Sequence, residues 1–118
     1  LPLVRQVQIA CDMATRGTAR LAGAEPMSFE DNETTLEQVY SRIERAIEYV
    51  NTFKPEQIDG SEGRSIVLKT RTGEMTFEGQ AYLLGFVIPN LFFHCTTAYN
   101  ILREAGTEIG KTDFIGAA

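Results

Sequence analysis

The residues of this chain best placed to do chemistry are Asn90 and His94, polar side chains inside its longest apolar run, residues 82–106 (YLLGFVIPNLFFHCTTAYNILREAG). Four residues apart on a helix, they lie one turn above each other on one face. Leu83, Leu84, Phe86, Val87, Ile88, Leu91, Phe92 and Phe93 surround them and leave hardly any polar side. A helix apolar all round is expected to be buried, and a buried polar side chain needs a partner. Gln8 and Asp12, also four apart near the start of the chain, offer one. The four residues together form a candidate polar pocket. As a metal site the set would be an imidazole at His94 helped by oxygens from Asn90, Gln8 and Asp12, a weak set for zinc. A hydrogen-bonded core histidine is the plainer reading of the same residues.

Other chemistries fit less well. Cys95 adjoins His94, but helical neighbours point ~100° apart. A thiol–imidazole pair would therefore need Cys11 to reach His94 across two helices, and buried structural cysteine is far commoner. Two cysteines in apolar settings do not make a disulfide scaffold, so we read them as reduced thiols of a cytoplasmic protein. Ser28, Ser41, Ser61 and Ser65 have a single histidine in the chain to draw on, which argues against a serine-hydrolase triad. Residues 105–112 (AGTEIGKT) match a loosely written phosphate-binding loop, yet a helix precedes them where that loop needs a strand. The acidic stretch 30–33 (EDNE) reads either as a cation site or, more simply, as a solvated turn entering a helix, where acidic residues are favoured.

Composition narrows the classes. The chain has 118 residues, enough for one domain with a real core, and is 43% apolar and 23% charged. Its net charge of −5 argues against nucleic acid, which needs clustered Lys and Arg. No signal peptide is visible. The 82–95 run is broken by Gly85, Pro89 and Asn90 and reads as too short to span a bilayer, so no membrane is expected.

These residues must be positioned by three long helices and one hairpin. Residues 3–22 form the first helix, with the stripe Leu3, Val7, Ala10, Ala14, Gly17 and Leu21, small in its middle, and Gly23 just past its end. Arg5, Arg16 and Arg20 read as solvated. A second helix starts at a capping box of Thr34 and Glu37 and runs to about Phe53, before Pro55. Its apolar positions are Leu36, Val39, Tyr40, Ile43, Ala46, Ile47, Val50 and Phe53. One short helical turn fits residues 56–58. Residues 65–70 and 74–77 flank Arg71, Thr72 and Gly73 as a β-hairpin, which must pack on the helices to be stable. The last helix spans residues 79–105 with a kink near Gly85–Pro89. The tail, residues 107–118, is expected to be a loop anchored by Phe114.

Four segments carry a resemblance: residues 7–12 (VQIACD), 28–34 (SFEDNET), 89–103 (PNLFFHCTTAYNILR) and 110–116 (GKTDFIG). They resemble a bacterial family of unknown function grouped with the DinB-like four-helix bundles, and the likeness extends over essentially the whole chain. The resemblance implies an all-α, up-down four-helix bundle with a small hairpin before the last helix. It implies one more helix upstream of Leu1, in keeping with the abrupt start Leu-Pro-Leu-Val. Many DinB-like proteins hold divalent nickel or zinc through three histidines, some are thiol transferases or isomerases, and many are homodimers. Mapped on this chain, His94 takes one histidine position, Asn90 a second and Gln8 the third, so one metal ligand of three is kept.

Three functions follow. The first is a polar pocket with a degenerate metal site and no tightly held cofactor, binding a small molecule or acting through protein contacts. The second is a metal-dependent thiol transferase or isomerase built on His94. The third is a structural or homodimerisation module in which Asn90 and His94 fix helix register. The long connection 54–78 is expected to be the crossover of the bundle.

Overall fold

A computed structural model describes residues 2–116. In order they form α1 (Leu3–Leu21), α2 (Leu36–Asn51), α3 (Pro55–Ile58), β1 (Ser65–Thr70), β2 (Gly73–Glu78), α4 (Gly79–Tyr82), a π turn (Leu83–Val87), α5 (Ile88–Glu104) and α6 (Lys111–Ile115). Strands β1 and β2 pair antiparallel, with Ile66 opposite Phe77 and Leu68 opposite Met75.

Helix α1 is the centre of the molecule and packs against α2, α3, α5 and the π turn. Its small residues permit this. A Cβ at Gly17 would lie 2.8 Å from Val87 Cγ1, so only glycine admits that helix so closely. The core is gathered at one end: Leu21, Ile66, Leu68, Tyr82 and Val87 are buried together, with Phe77 and Phe86 against them. Tyr82 and Phe86 stack with centroids 5.7 Å apart. The strand face alternates as a half-buried strand should, with Ile66 and Leu68 inside and Val67 and Lys69 outside. Arg20, expected to be solvated, donates instead to the Tyr82 hydroxyl at 3.0 Å.

The path between α1 and α2 departs from the up-down expectation. After α1 ends, Met27 N–H donates to the Tyr49 hydroxyl. Phe29 then meets Tyr49 edge-on and lies under the guanidinium groups of Arg42 and Arg45. Asp31 pairs with Arg5 and Glu33 with Gln8, near the start of α1. Residues 24–35 thus run back along α2 and α1, and α1 and α2 lie parallel. The crossover is this segment. The connection 52–78 stays at the core end, where Ile58 packs beside Leu21. A dozen extended residues reach roughly 40 Å, ample for that return.

What holds the crossover is Arg42, whose side chain is 1% exposed. Its Nη1 donates to Glu30 O, Asp31 Oδ1 and both Glu33 carboxylate oxygens, and its Nη2 to Asp12 Oδ1 at 2.9 Å. Burial alone would lower its pKa. The Asp31 hydrogen bond and the charges of Asp12 and Glu33 outweigh that and raise it. Of the acidic stretch, Glu30, Asp31 and Asn32 are exposed, in keeping with a solvated turn, but Glu33 is buried and, with Asp31, meets a cation that is a side chain of the same protein. Among the described residues, Arg42 Nε is the one buried side-chain polar atom left without a partner.

Other expectations shift. The α2 cap is Thr35, one residue later than Thr34, and Gln38 completes the box in place of Glu37. Gln38 Oε1 accepts from both Thr34 N–H and Thr35 N–H, which a register starting at Thr34 would not allow. The kink is a π turn, closed by Ile88 N–H donating to Leu83 O. Pro89 contributes no N–H, and the wider turn absorbs the fault without ending the helix. The helix therefore continues for 26 residues, Gly79–Glu104, long and apolar enough by those two measures to cross a membrane. That corrects the reading of the run as too short. The last helix is also not buried all round. No residue of α5 is fully buried, and Phe92 and Phe93 are 56% and 63% exposed. The tail carries a short helix, α6, where a loop was expected. Phe114 does anchor it, edge-on to Tyr99 at 5.9 Å.

Removing one partner from a buried ion cluster leaves an uncompensated charge. Arg42→Ala should lower the unfolding free energy in urea by about 3–5 kcal/mol. Arg45→Ala, on the exposed rim of the same cluster, should cost less than about 1 kcal/mol.

Candidate functional site

Helices α2 and α5 both pack on α1 but make no comparable contact with each other. Between them lies a cavity of about 700 Å³. Val7, Ala10, Cys11 and Ala14 of α1 form its floor. Ile43, Ile47 and Val50 of α2 form one wall, and Leu91, Cys95, Ala98 and Leu102 of α5 the other. The α2 and α5 sets recur at alternating three- and four-residue steps, as do Val7, Cys11 and Ala14 of α1, the spacing of a helical seam. Elsewhere on α2 and the π turn, Leu36, Tyr40 and Leu84 are each more than half exposed. Phe114 and Ile109 reach in from the tail.

Asn51, Tyr99 and Asp113 also line the cavity, but the polar pair that joins two of its helices is Gln6 and His94. His94 Nδ1 lies 2.7 Å from Gln6 Oε1. Gln6 is 3% exposed. A carboxamide oxygen only accepts, so Nδ1 carries the proton and Nε2 keeps its lone pair. Burial, helped by the charge of Arg5, lowers the His94 pKa, which favours the neutral ring.

The structure does not bring the four sequence candidates together. His94 lines the cavity, and α1 does run beside α5. Gln8 faces the other side of α1, where its Nε2 donates to Glu33 Oε1 at 2.9 Å. Asp12 turns the same way, onto Arg42. Asn90 Nδ2 donates to Phe86 O at 2.7 Å, within its own helix at the π turn. The residue that meets His94 is Gln6, two positions from Gln8. Two positions on a helix is a turn of about 200°, so the neighbouring glutamine belongs to the opposite face.

The three positions expected to hold nickel or zinc therefore do not converge. Among the described residues no group of three His, Cys, Asp or Glu side chains could hold a metal ion. The donor set at His94 amounts to one imidazole nitrogen and one carboxamide. It does not fit a three-ligand site, and no reaction step is derived through one.

The cysteines share the cavity, but not as nucleophiles. Burial pushes Cys11 up to about 11, with Arg42 opposing and Asp12, Cys95 and Glu33 adding. Burial also raises Cys95. A thiol held protonated at neutral pH is a poor nucleophile.

With this geometry in place, the likenesses to known proteins can be read. A family model described as a domain of unknown function, DUF1993, matches residues 1–115. Among curated proteins no sequence matches the chain. The crystal structure of a DinB family member protein from Shewanella denitrificans superposes with a TM-score of 0.92 at 39% identity, covering 100% of this chain and 67% of that one.

The raised Cys11 pKa has a sign that can be measured. The folded state holds this proton more tightly than the unfolded chain, whose thiol titrates near the ordinary value of 9.0. The stabilisation is complete below about pH 9 and is lost as pH rises towards about 11. Urea titrations of the native protein should show that alkaline loss. Cys11→Ala should lack this component, whatever its stability at pH 7.

Proposed function

The chain belongs to the DUF1993 family and carries the fold of a DinB family member, and from that premise we propose that it is a binding protein whose site is the groove between α2 and α5. The occupant is an amphipathic helix, which completes a four-helix bundle. It leaves the Gln6–His94 end beneath it as a small polar-ended pocket.

One observation carries this reading: three helices turn seam-spaced apolar residues towards a space that none of them fills. Ile47 and Phe92, which line it, each stand 56% exposed. Apolar patches of that extent mark interaction sites in monomeric proteins. The dimensions support a helix. The groove runs beside α2, whose 16 residues span about 24 Å. Its floor is Ala10, Cys11 and Ala14, small enough for close approach. The DinB relative also has about a third of its length outside the match. A transferase or isomerase built on a metal at His94 would need two further donors there, and Gln8 and Asn90 are engaged elsewhere.

The protein should take up the dye ANS with a several-fold rise in fluorescence. A synthetic amphipathic helix of 18 residues, with Leu at the a and d positions of each heptad, should displace the dye. Ile47→Glu and Phe92→Glu, both at exposed positions, should fold normally and lose most of both signals. No dye uptake by the native protein, or equal uptake by the variants, would refute the groove as a site. A concentration-dependent dimer abolished by Ile47→Glu would assign the groove to a second copy of the chain instead.

A further inference from the structure

The cavity lining has a composition that selects its guest. It holds no Lys or Arg. Its one carboxyl side chain, Asp113, accepts from Gly110 N–H at 2.8 Å in the tail. The Tyr99 hydroxyl accepts from Arg103. An anionic guest would find no positive side chain among the lining residues and would lose its hydration on entry.

The imidazole is different, because its partner fixes what it can offer. Gln6 is buried on the α1 face that meets α5, and its Oε1 holds Nδ1–H. The remaining nitrogen, Nε2, is then an acceptor and cannot donate. We propose that Gln6 is a positioning residue that sets His94 as a fixed hydrogen-bond acceptor, so that the pocket takes a neutral, apolar molecule bearing one O–H or N–H donor and rejects carboxylates. The inference rests on the groove reading above and deepens it by naming the guest's chemistry.

Selectivity of this kind has a physical basis. A guest that covers this acceptor without offering a donor leaves it unpaired, and that cost falls on the wrong guest alone. Apolar contact with Leu91, Phe92 and Ala98 would supply affinity to any guest of suitable size. The imidazole would supply the choice.

His94 is the one histidine of the chain, so its ring nitrogens give unambiguous signals in long-range proton–nitrogen spectra. At pH 8, where the ring is neutral, the native protein should show the Nδ1–H tautomer. Gln6→Leu should abolish that bias, and Gln6→Glu, which keeps an accepting oxygen, should restore it. Phenol, toluene and benzoate are then the probes, followed by chemical-shift titration. Phenol should bind and benzoate should not. The ratio of phenol to toluene affinity should fall about three- to tenfold in His94→Phe. An Nε2–H tautomer in the native protein, or benzoate bound as well as phenol, would overturn this inference and leave the groove reading standing. Failure of both phenol and toluene to bind would remove the small-molecule pocket and this inference with it.

Discussion

A guanidinium taken out of water must be met by acceptors on every side, and the fold is arranged around meeting that need at Arg42. Its partners come from two separate stretches: Asp12 on α1, and Glu30, Asp31 and Glu33 in the crossover together with the ring of Phe29. The cluster therefore fixes the crossover to α2 and α2 to one side of α1. Arg5, Arg16 and Arg45 stand at its edge and balance the excess of carboxylates. Whether such a cluster adds net stability over an apolar one is a separate matter. What it enforces is geometry, because any other packing of these segments would strand a charge.

That geometry explains the groove. Helix α2 is tied to α1 through its polar flank, with Ala46 buried against it. Helix α5 is tied to α1 from another direction, by Gly17 against Val87 and by Gln6 against His94. The two outer helices are thus held on α1 with no comparable packing between them. The buried apolar core lies at the hairpin end, in Leu21, Ile66, Leu68, Tyr82 and Val87. Away from it, the seam residues of α2 and α5 face open space. The fold places order at one end and an unfilled apolar surface at the other.

Much of this was legible in the sequence, and the failures share a cause. The three long helices, the hairpin and the late break near Pro89 follow from local spacing and turn residues, and the structure contains each. That Phe114 anchors the tail follows from a lone aromatic in a polar segment; that it does so on Tyr99 does not. Local spacing does not say which face of a helix meets which neighbour. Gln8 and Gln6 are equally plausible partners for His94 until the rotation of α1 is known. Arg42 among the charged residues of α2 looks like any solvated arginine, since nothing nearby in sequence reveals that residues 30–33 fold back onto it. The reading of α5 as buried rested on composition. An all-round apolar helix needs neighbours on every side, and composition cannot count them. The one signal that could have exposed the cluster was Asp12, a carboxylate beside an apolar stripe, which requires a cation more than it requires an imidazole.

The same competition settles what His94 can be. Each polar residue that might have joined it has a nearer obligation. Glu33 is buried beside Arg42 with two oxygens to satisfy, and the Gln8 amide supplies one of the hydrogen bonds. If Gln8 rotated towards the cavity, a buried carboxylate would lose a donor, which costs more than an imidazole gains from a second amide. Asn90 is held by the π turn, where its side-chain amide donates to the Phe86 carbonyl. Moving it would leave that carbonyl short of this donor in an apolar stretch. Both diversions follow from the demands of the fold, one from Arg42 and one from Pro89. They leave the cavity with a single oriented imidazole among apolar side chains and protonated thiols. Such a site can recognise a guest by contact and one hydrogen bond; it lacks the converging donors that a three-ligand metal centre needs.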